Sequence, residues 1–598
     1  MQNYFNTPQL KQAFDFAEYT GCHLFLTGKA GTGKTTFLHN FKNASSKRLV
    51  VVAPTGVAAI NAGGVTIHSF FQLPFGPHLP ESIYASNHPT ASVQKLSQSK
   101  KDIIRNLEML IIDEISMVRA DLLDAIDSTL RRFKDRFLPF GGVQLLMIGD
   151  LHQLPPIAPK KEWQLLQDYY DTLFFYGSRS LQQTSYTSIE LTHIFRQNDD
   201  HFIHLLNNIR DNIIDSETLE KLNERYAPQF NPSDDAGYIT LTTHNRQAQT
   251  INHAKLEKLS TEEYIKEAKI EGTFPEHAYP TDAKLTLKIG AQVMFVKNDT
   301  SVEKLFYNGK IGNVVDIKDD CIYVKCPQEA KSISVEQLEW QNIQYTIDEE
   351  TETIKEKVIG TFTQFPLKLA WAITIHKSQG LTFEKAIIDA NEAFAHGQVY
   401  VALSRCKTLD GIVLISPISK TCIKHDQGVL HFMNNIENEI PDNNCFDKCK
   451  LDYQLSLLKK LFNFKPIEQH MHSMLRIIQK HITSIPPELV DIIVQTNELI
   501  RDEIIDVSYR FEKQLDRLIA ENSNIAENEL LQERVQKGCV YFSEKAETII
   551  VNFLENIAID IKNKNLGKSL KKHLSNLEKD ISTKLFDLRE NHSILDLN

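Results

Sequence analysis

Four short apolar runs punctuate the first 150 residues: Leu24–Leu26, Leu49–Ala53, Met109–Ile112 and Val143–Ile148. Runs this short, with Gln144 the one polar residue among them, suit strands of a parallel sheet covered on both faces. Each gives way to a glycine-rich or polar group: Gly28, Pro54-Thr55-Gly56, Asp113-Glu114 and Gly149-Asp150. That is the carboxyl rim where open α/β sheets hold ligands. Helical spacing fills the gaps. Residues 9–21 predict a short helix, and Leu122, Leu123, Ile126, Leu130 and Phe133 mark one face of another over 120–136.

A second α/β set begins at Tyr238–Thr243, resumes at Pro366–Ile375 and continues with a strand at Lys385–Asp389. His376-Lys377-Ser378-Gln379-Gly380 is expected to open a helix. Residues 285–365 change period. Their short alternating runs, broken by Gly, Asn and Asp, predict a small all-β module inserted in the second domain. From 451 onward the period is helical again. Ile500, Ile504, Val507, Phe511, Leu515 and Leu518 recur at steps of three and four, as do Leu570, Leu574, Leu577, Ile581, Leu585 and Leu588. Residues 421–450 read as a linker and 72–105 as an irregular insertion on the first sheet.

The chain is therefore α/β, with two parallel-sheet domains (1–195, then 196–284 with 366–420), a β insertion (285–365) and an all-α C-terminal domain (451–598) that packs on itself. At 598 residues several cores are required. No apolar run reaches the eighteen or so residues that span a bilayer, and the N-terminus lacks a secretory pattern. Eight scattered cysteines suit a reducing compartment, and a cytoplasmic location is expected. A net charge of −11 argues against a wholly basic nucleic-acid coat but leaves room for a locally basic channel. Cys422, His425, His431, Cys445 and Cys449 fall near one another, but their spacing fits no common zinc finger or ribbon, so they read as ordinary residues.

The chemistry concentrates at the first rim. Gly28, four residues, then Gly33-Lys34-Thr35 is the phosphate-loop spacing. Glycines let backbone N–H groups wrap an anion, and the following helix points its positive end at it. The nucleotide contacts run through Gly28, Ala30, Gly31, Thr32, Gly33, Lys34, Thr35 and Thr36. Lys34 reaches the β- and γ-phosphates, and the Thr35 hydroxyl takes Mg²⁺. Asp113 holds the Mg²⁺ shell and Glu114 polarises the attacking water. The Gln153 amide can sense the γ-phosphate, and Gln9 offers a donor and an acceptor to adenine. Pro54-Thr55 and Thr66-Ile67-His68-Ser69 put hydroxyl and imidazole groups where phosphate or sugar contacts are made.

GKAGTGKTT, APTGVAAINAGG, TIHSFF, IDEISMV, PFGGVQLLMIGDLHQLPPI, LTHIFRQ, TIHKSQGLTFEKAIID and VYVALSRCKTLDGI, in this order, resemble the petite-integration-frequency (PIF) helicases of superfamily 1B, relatives of RecD. The resemblance spans roughly residues 5–418 and fades beyond about 420. It implies RecA-like folds for both sheets, an SH3-like β insertion, and ATP-driven 5′→3′ movement on single-stranded DNA with duplex unwinding. Replication, repair or recombination would be the setting, with single strands and duplex junctions as partners and no membrane. It assigns Arg196 and Arg405 to the γ-phosphate and places the segment with His376, Lys377 and Ser378 at both DNA and nucleotide; Pro54, Thr55 and His68 are expected to hold the strand with them. Two other readings stay open: a RecD-like motor subunit docked through the helical tail, and an ATP-gated DNA clamp. A monomer is the expected state.

Overall fold

The structure, a computed structural model, describes residues 7–590 apart from 81–95, 198, 234–235, 300–304, 328, 330, 349–353, 390–395, 438–440, 523–524, 526, 560 and 562. Much of the expected 72–105 insertion thus lies outside the described residues. The chain forms two compact units. The first is Met1–Glu18 with Cys22–Pro441, and the second is Tyr19–Gly21 with Asp442–Asn598.

Among the described residues the first sheet has six parallel strands: β1 (His23–Gly28), β2 (Leu49–Ala53), β3 (Val65–Thr66), β4 (Met109–Ile112), β5 (Gln144–Ile148) and β6 (Tyr186–Leu191). Their order is β3-β2-β4-β5-β1-β6. β4 and β5 are buried at every position, as a sheet covered on both faces requires. The order puts β1, β4 and β5 side by side, so the groups at their carboxyl ends share one rim. A second parallel sheet runs Ala372–Thr374, Ile239–Thr242, Ala386–Ile388, Ile412–Leu414.

The β insertion is larger than the alternating pattern suggested. It opens at Glu263–Glu267, which pairs antiparallel with Lys284–Lys288. In EYIKE only Tyr264 and Lys266 are even half-buried, so the segment carries no apolar run for periodicity to detect. The antiparallel sheet proper joins Gln292–Phe295, Ile311–Ile317, Ile322–Lys325, Ile333–Val335 and Leu367–Leu369 around Val293, Phe295, Val314, Ile322, Val324 and Phe365. Beyond it a long hairpin, Leu338–Ile347 with Ile354–Gln364, forms an arm. The arm reaches the first sheet. Tyr345 is buried in that sheet's core beside Phe70, and its hydroxyl accepts a hydrogen bond from the Val51 N–H at 3.2 Å. Glu356 pairs with Lys42 at 2.5 Å.

Two other expectations need correction. Residues 375–380 form consecutive turns, not a helix. The Ser378 hydroxyl bonds back to the Ile375 carbonyl, and Gly380 takes a positive φ of 80° that halts helical winding. Residues 421–450 are not a plain linker either. Gln427–Glu437 is a helix that buries Val429 and Met433 in the first core, and Asn443–Leu461 is already the first helix of the second unit.

In that second unit Pro487–Ile500 continues through a π-helical turn, Arg501–Ile505, into Asp506–Glu521. Glu529–Lys545 passes through a second one, Ala546–Val551. Lys564–Glu590 packs Leu570, Leu577, Ile581 and Leu588 into the shared core. Gly538 has no Cβ because one would stand 2.6 Å from the Phe511 ring. Among the described residues no helix is long and apolar enough to cross a membrane.

Candidate nucleotide site and adjoining groove

The loop after β1 is shaped by its glycines. Gly28, Gly31 and Gly33 have φ of 149°, 86° and 86°, a region costly to side-chain-bearing residues. A Cβ on Gly28 would stand 2.6 Å from the Leu191 carbonyl, and one on Gly31 would stand 2.5 Å from the Arg196 Cβ. Such a loop can turn its N–H groups toward an anion. Lys34 opens the helix Lys34–Ala44, and its ammonium donates to the Gly28 and Lys29 carbonyls at 2.6 and 3.1 Å. Burial lowers the Lys34 pKa, while the charges of Asp150 and Glu114 work against that shift. Thr35 and Thr36 are exposed at the helix start. Thr32 is buried and its hydroxyl donates to the Lys29 carbonyl, so its side chain braces the loop itself.

The acids stand at the ends of the neighbouring strands. Burial, and then the adjacent Glu114, push the Asp113 carboxyl up to about 7. Glu114 adopts a left-handed backbone, φ 51° and ψ 45°, which is uncommon outside glycine. Burial raises its pKa too, against the pull of Lys34 and Arg405. Its carboxylate accepts a hydrogen bond from the Gln379 amide at 2.8 Å. Asp150 is fully buried, yet its pKa is lowered. Burial works upward, but Arg210 and then Lys34 outweigh it. The Gln153 amide donates to Asp150 at 3.0 Å and is buried.

Cations arrive from the segment after β6 and from the second sheet. The Arg196 guanidinium donates to the Ser404 carbonyl at 3.4 Å. Arg405 is fully buried; its Nε donates to the Val401 carbonyl and its Nη2 to the Ser404 hydroxyl. Burial, and then Arg196, pull the Arg405 pKa down to about 9. Tyr400, on the helix Gln398–Leu403, accepts the Ala30 N–H of the loop at 3.1 Å. Both sheets thus contribute to one cleft holding Lys34, Asp113, Glu114, Asp150, Arg196 and Arg405.

A groove of about 1790 Å³ lies among the first sheet's helices, the second sheet and the β insertion. Lys377 and Thr374 line it from the second sheet, Val57 and Asn61 from the helix that Thr55 caps, and Trp340 from the arm. Lys297 lies over the Trp340 ring at 5.1 Å.

Residues 10–220 match the PIF1-like helicase family, and residues 445–597 match the family described as DNA helicase, middle domain. The chain is 32% identical to the ATP-dependent DNA helicase Pif1 of Bdellovibrio bacteriovorus over 72% of its own length and 92% of that protein's. The chain belongs to the PIF1-like helicase family. These are ATP-dependent DNA helicases, and the chain is one. Among solved structures it is similar to Bacteroides sp Pif1 in complex with ADP-AlF4 (TM-score 0.67, 43% identity, 72% of this chain and 97% of that one). Against Bacteroides Pif1 bound to ssDNA the TM-score is 0.52, at 42% identity and the same coverage. The tail beyond residue 420, where the sequence reading found no further likeness, therefore carries a helicase-associated match of its own.

For this PIF1-like helicase the structure brings Lys34, Glu114, Arg196 and Arg405 into the one cleft. The Gln9 amide stands 3.4 Å from the Thr192 hydroxyl. Of the expected DNA residues, Lys377 is exposed on the groove wall. Pro54 and Thr55 are at the end of β2, with the Thr55 hydroxyl accepting the Ala58 N–H. His68 stacks on the exposed Phe75 ring at 4.5 Å. His376 is half-buried, and burial lowers its pKa. Ser378 is fully buried with its hydroxyl committed to Ile375, so it shapes the turn and does not face the groove. Cys422 and His425 belong to the first unit, and Cys445 and Cys449 to the second.

Sequence reasoning missed Gln379, Tyr400, Arg210 and Phe195. Arg210 is buried against Asp150 (3.6 Å), Glu190 (3.1 Å) and Asp211 (3.2 Å), tying two strand ends to the helix Asp200–Arg210. Phe195 is 53% exposed, with its ring 3.6 Å from where a Gly33 Cβ would stand. An arginine ending a helix or an aromatic in a loop carries no local signal. Arg210 shows only through its pairs with Asp150 and Glu190, and Phe195 only through the bond from its N–H to the Gly31 carbonyl at 2.8 Å.

Proposed function

We propose that the chain translocates 5′→3′ along single-stranded DNA and separates duplex ahead of it, hydrolysing ATP in the cleft between its two parallel sheets. The observation that carries this reading is the turn at 375–380. Gln379 on that turn bonds Glu114 in the cleft, while Lys377, two residues earlier, faces the groove. One short element thus serves both the phosphate chemistry and the proposed strand site.

In this mechanism Lys34 and the loop N–H groups hold the β- and γ-phosphates. Glu114 orients the attacking water. Arg196 and Arg405 stabilise charge on the transferring phosphoryl group, for which a planar guanidinium is well matched. Release of phosphate removes what draws the arginines toward the loop, and the cleft opens. Lys377, Pro54-Thr55 and His68 hold the strand by its backbone, so each closure advances it with little sequence preference. The donors present fit Mg²⁺: the exposed Thr35 hydroxyl and the buried Asp113 carboxyl are the hard oxygen ligands that ion takes. When bound there, the ion would neutralise phosphate charge.

The test is strand displacement on duplexes tailed at the 5′ or the 3′ end. Unwinding of the 5′-tailed substrate alone supports the reading; unwinding of neither, with DNA binding retained, points to a clamp. Lys34→Ala is expected to abolish hydrolysis with the fold intact. Wild-type turnover in that variant would refute the site.

A further inference from the structure

The Gln379–Glu114 contact joins a neutral donor to the residue that orients water, and its setting has a consequence for control of the reaction. Glu114 lies within electrostatic reach of two cations, Lys34 and Arg405. A carboxylate between two such groups can fold onto either of them and turn away from the attacking water. The backbone does not prevent this, because Glu114 already holds a left-handed φ of 51° and only its side chain remains free to choose. The Gln379 amide fixes one oxygen, Oε2, at 2.8 Å without adding a charge. The other oxygen stays available to a water proton.

The donor is rigidly mounted. Ile375 donates its N–H to the Thr242 carbonyl at 2.8 Å, anchoring the turn to the second sheet. Ser378 donates its N–H to Thr374 and its hydroxyl to Ile375, and Lys377 donates its N–H to the Thr374 hydroxyl. With these bonds the turn moves as one piece. Lys377 faces the groove and Gln379 the cleft, so displacement at one is felt at the other. Gly380, next along, passes Asn61 of the groove-lining helix, with a Cβ position 4.0 Å from the Asn61 amide.

We propose that Gln379 is a positioning residue that aims the Glu114 carboxylate and makes its aim depend on what the Lys377 side of the turn grips. Stimulation of hydrolysis by a single strand then passes through this one hydrogen bond. The inference rests on the proposed function, since it takes the groove to be the strand site.

The experiment compares wild type with Gln379→Ala and Gln379→Asn, measuring ATP turnover with and without a saturating unstructured oligodeoxynucleotide. Asn keeps the amide but is one methylene too short to reach. In both variants the ratio of stimulated to strand-free turnover should fall about tenfold. The KM for ATP and the oligonucleotide concentration giving half stimulation should stay at their wild-type values. An unchanged ratio overturns the proposal, and so does an equal loss of both rates, which would mark a merely structural side chain. If wild type itself is not stimulated, the proposed function fails first. If wild type is stimulated and the variants keep the ratio, only this inference falls.

Discussion

Replacing Tyr345 by Phe removes one oxygen from the tip of the arm. That oxygen accepts the Val51 N–H at 3.2 Å. Val51 needs it because β3 is short and pairs only with Val52 and Ala53, leaving the preceding N–H beyond its end. Tyr345 and Val51 are both buried, so water does not substitute while the arm is docked. A buried donor left without a partner costs about 1–3 kcal/mol. Undocking the arm lets water satisfy the group, so that cost shifts the docked-to-undocked ratio by roughly 5- to 150-fold. The Phe ring still fills the core site, and the Lys42–Glu356 pair stays as it was. Hydrogen exchange at the Val51 amide should therefore quicken by that order in Tyr345→Phe. Because Trp340 on the arm lines the groove, release of a bound oligonucleotide should quicken too. Unchanged exchange at Val51 would show that this bond does not hold the arm down, and the reasoning would fail there.

Gly31→Ala places a methyl 2.5 Å from the Arg196 Cβ on a backbone with φ of 86°, so about 1–2 kcal/mol of backbone strain is added to a steric clash. Thermal unfolding should drop by a few degrees and ATP affinity should weaken, both readable by calorimetry. Arg405→Lys loses the bonds to Val401 and Ser404 and puts an ammonium where burial strongly disfavours charge, so turnover at saturating ATP should fall by roughly 10³, as loss of an arginine finger does. His152 is buried against Asp150, Arg210, His396 and His425, and burial, followed by Arg210, pushes its pKa down to about 3. Its folded pKa lies below the unfolded 6.5, so its neutral form stabilises the fold above pH 6.5, and this contribution is lost as pH falls toward 3. At pH 5.5 the loss is about 1.4 kcal/mol. His152→Gln should flatten the fall in melting temperature between pH 7.5 and 5.5, and parallel curves would refute the assignment.

The sequence by itself determined four of the six described strands of the first sheet and the polar groups at their ends; β3 and β6 carry no such run. Leu49–Ala53 is an uninterrupted apolar run and Val143–Ile148 is broken only by Gln144, because a doubly covered strand leaves little room for polar positions to blur the pattern. The phosphate loop was equally legible, since its glycines answer to backbone geometry within a dozen residues. Tertiary structure decided the rest. The EYIKE strand, the arm and the helix within 421–450 owe their state to partners distant in sequence: Lys284–Lys288 for the first, the Val51 N–H for the second, the core around Phe175 for the third. Gln379 and Tyr400 act on groups more than 260 residues away, Glu114 and Ala30. A side chain that works by meeting a distant partner leaves no period and no local motif. Only folding, which brings the two sheets against one another, gives such residues a function.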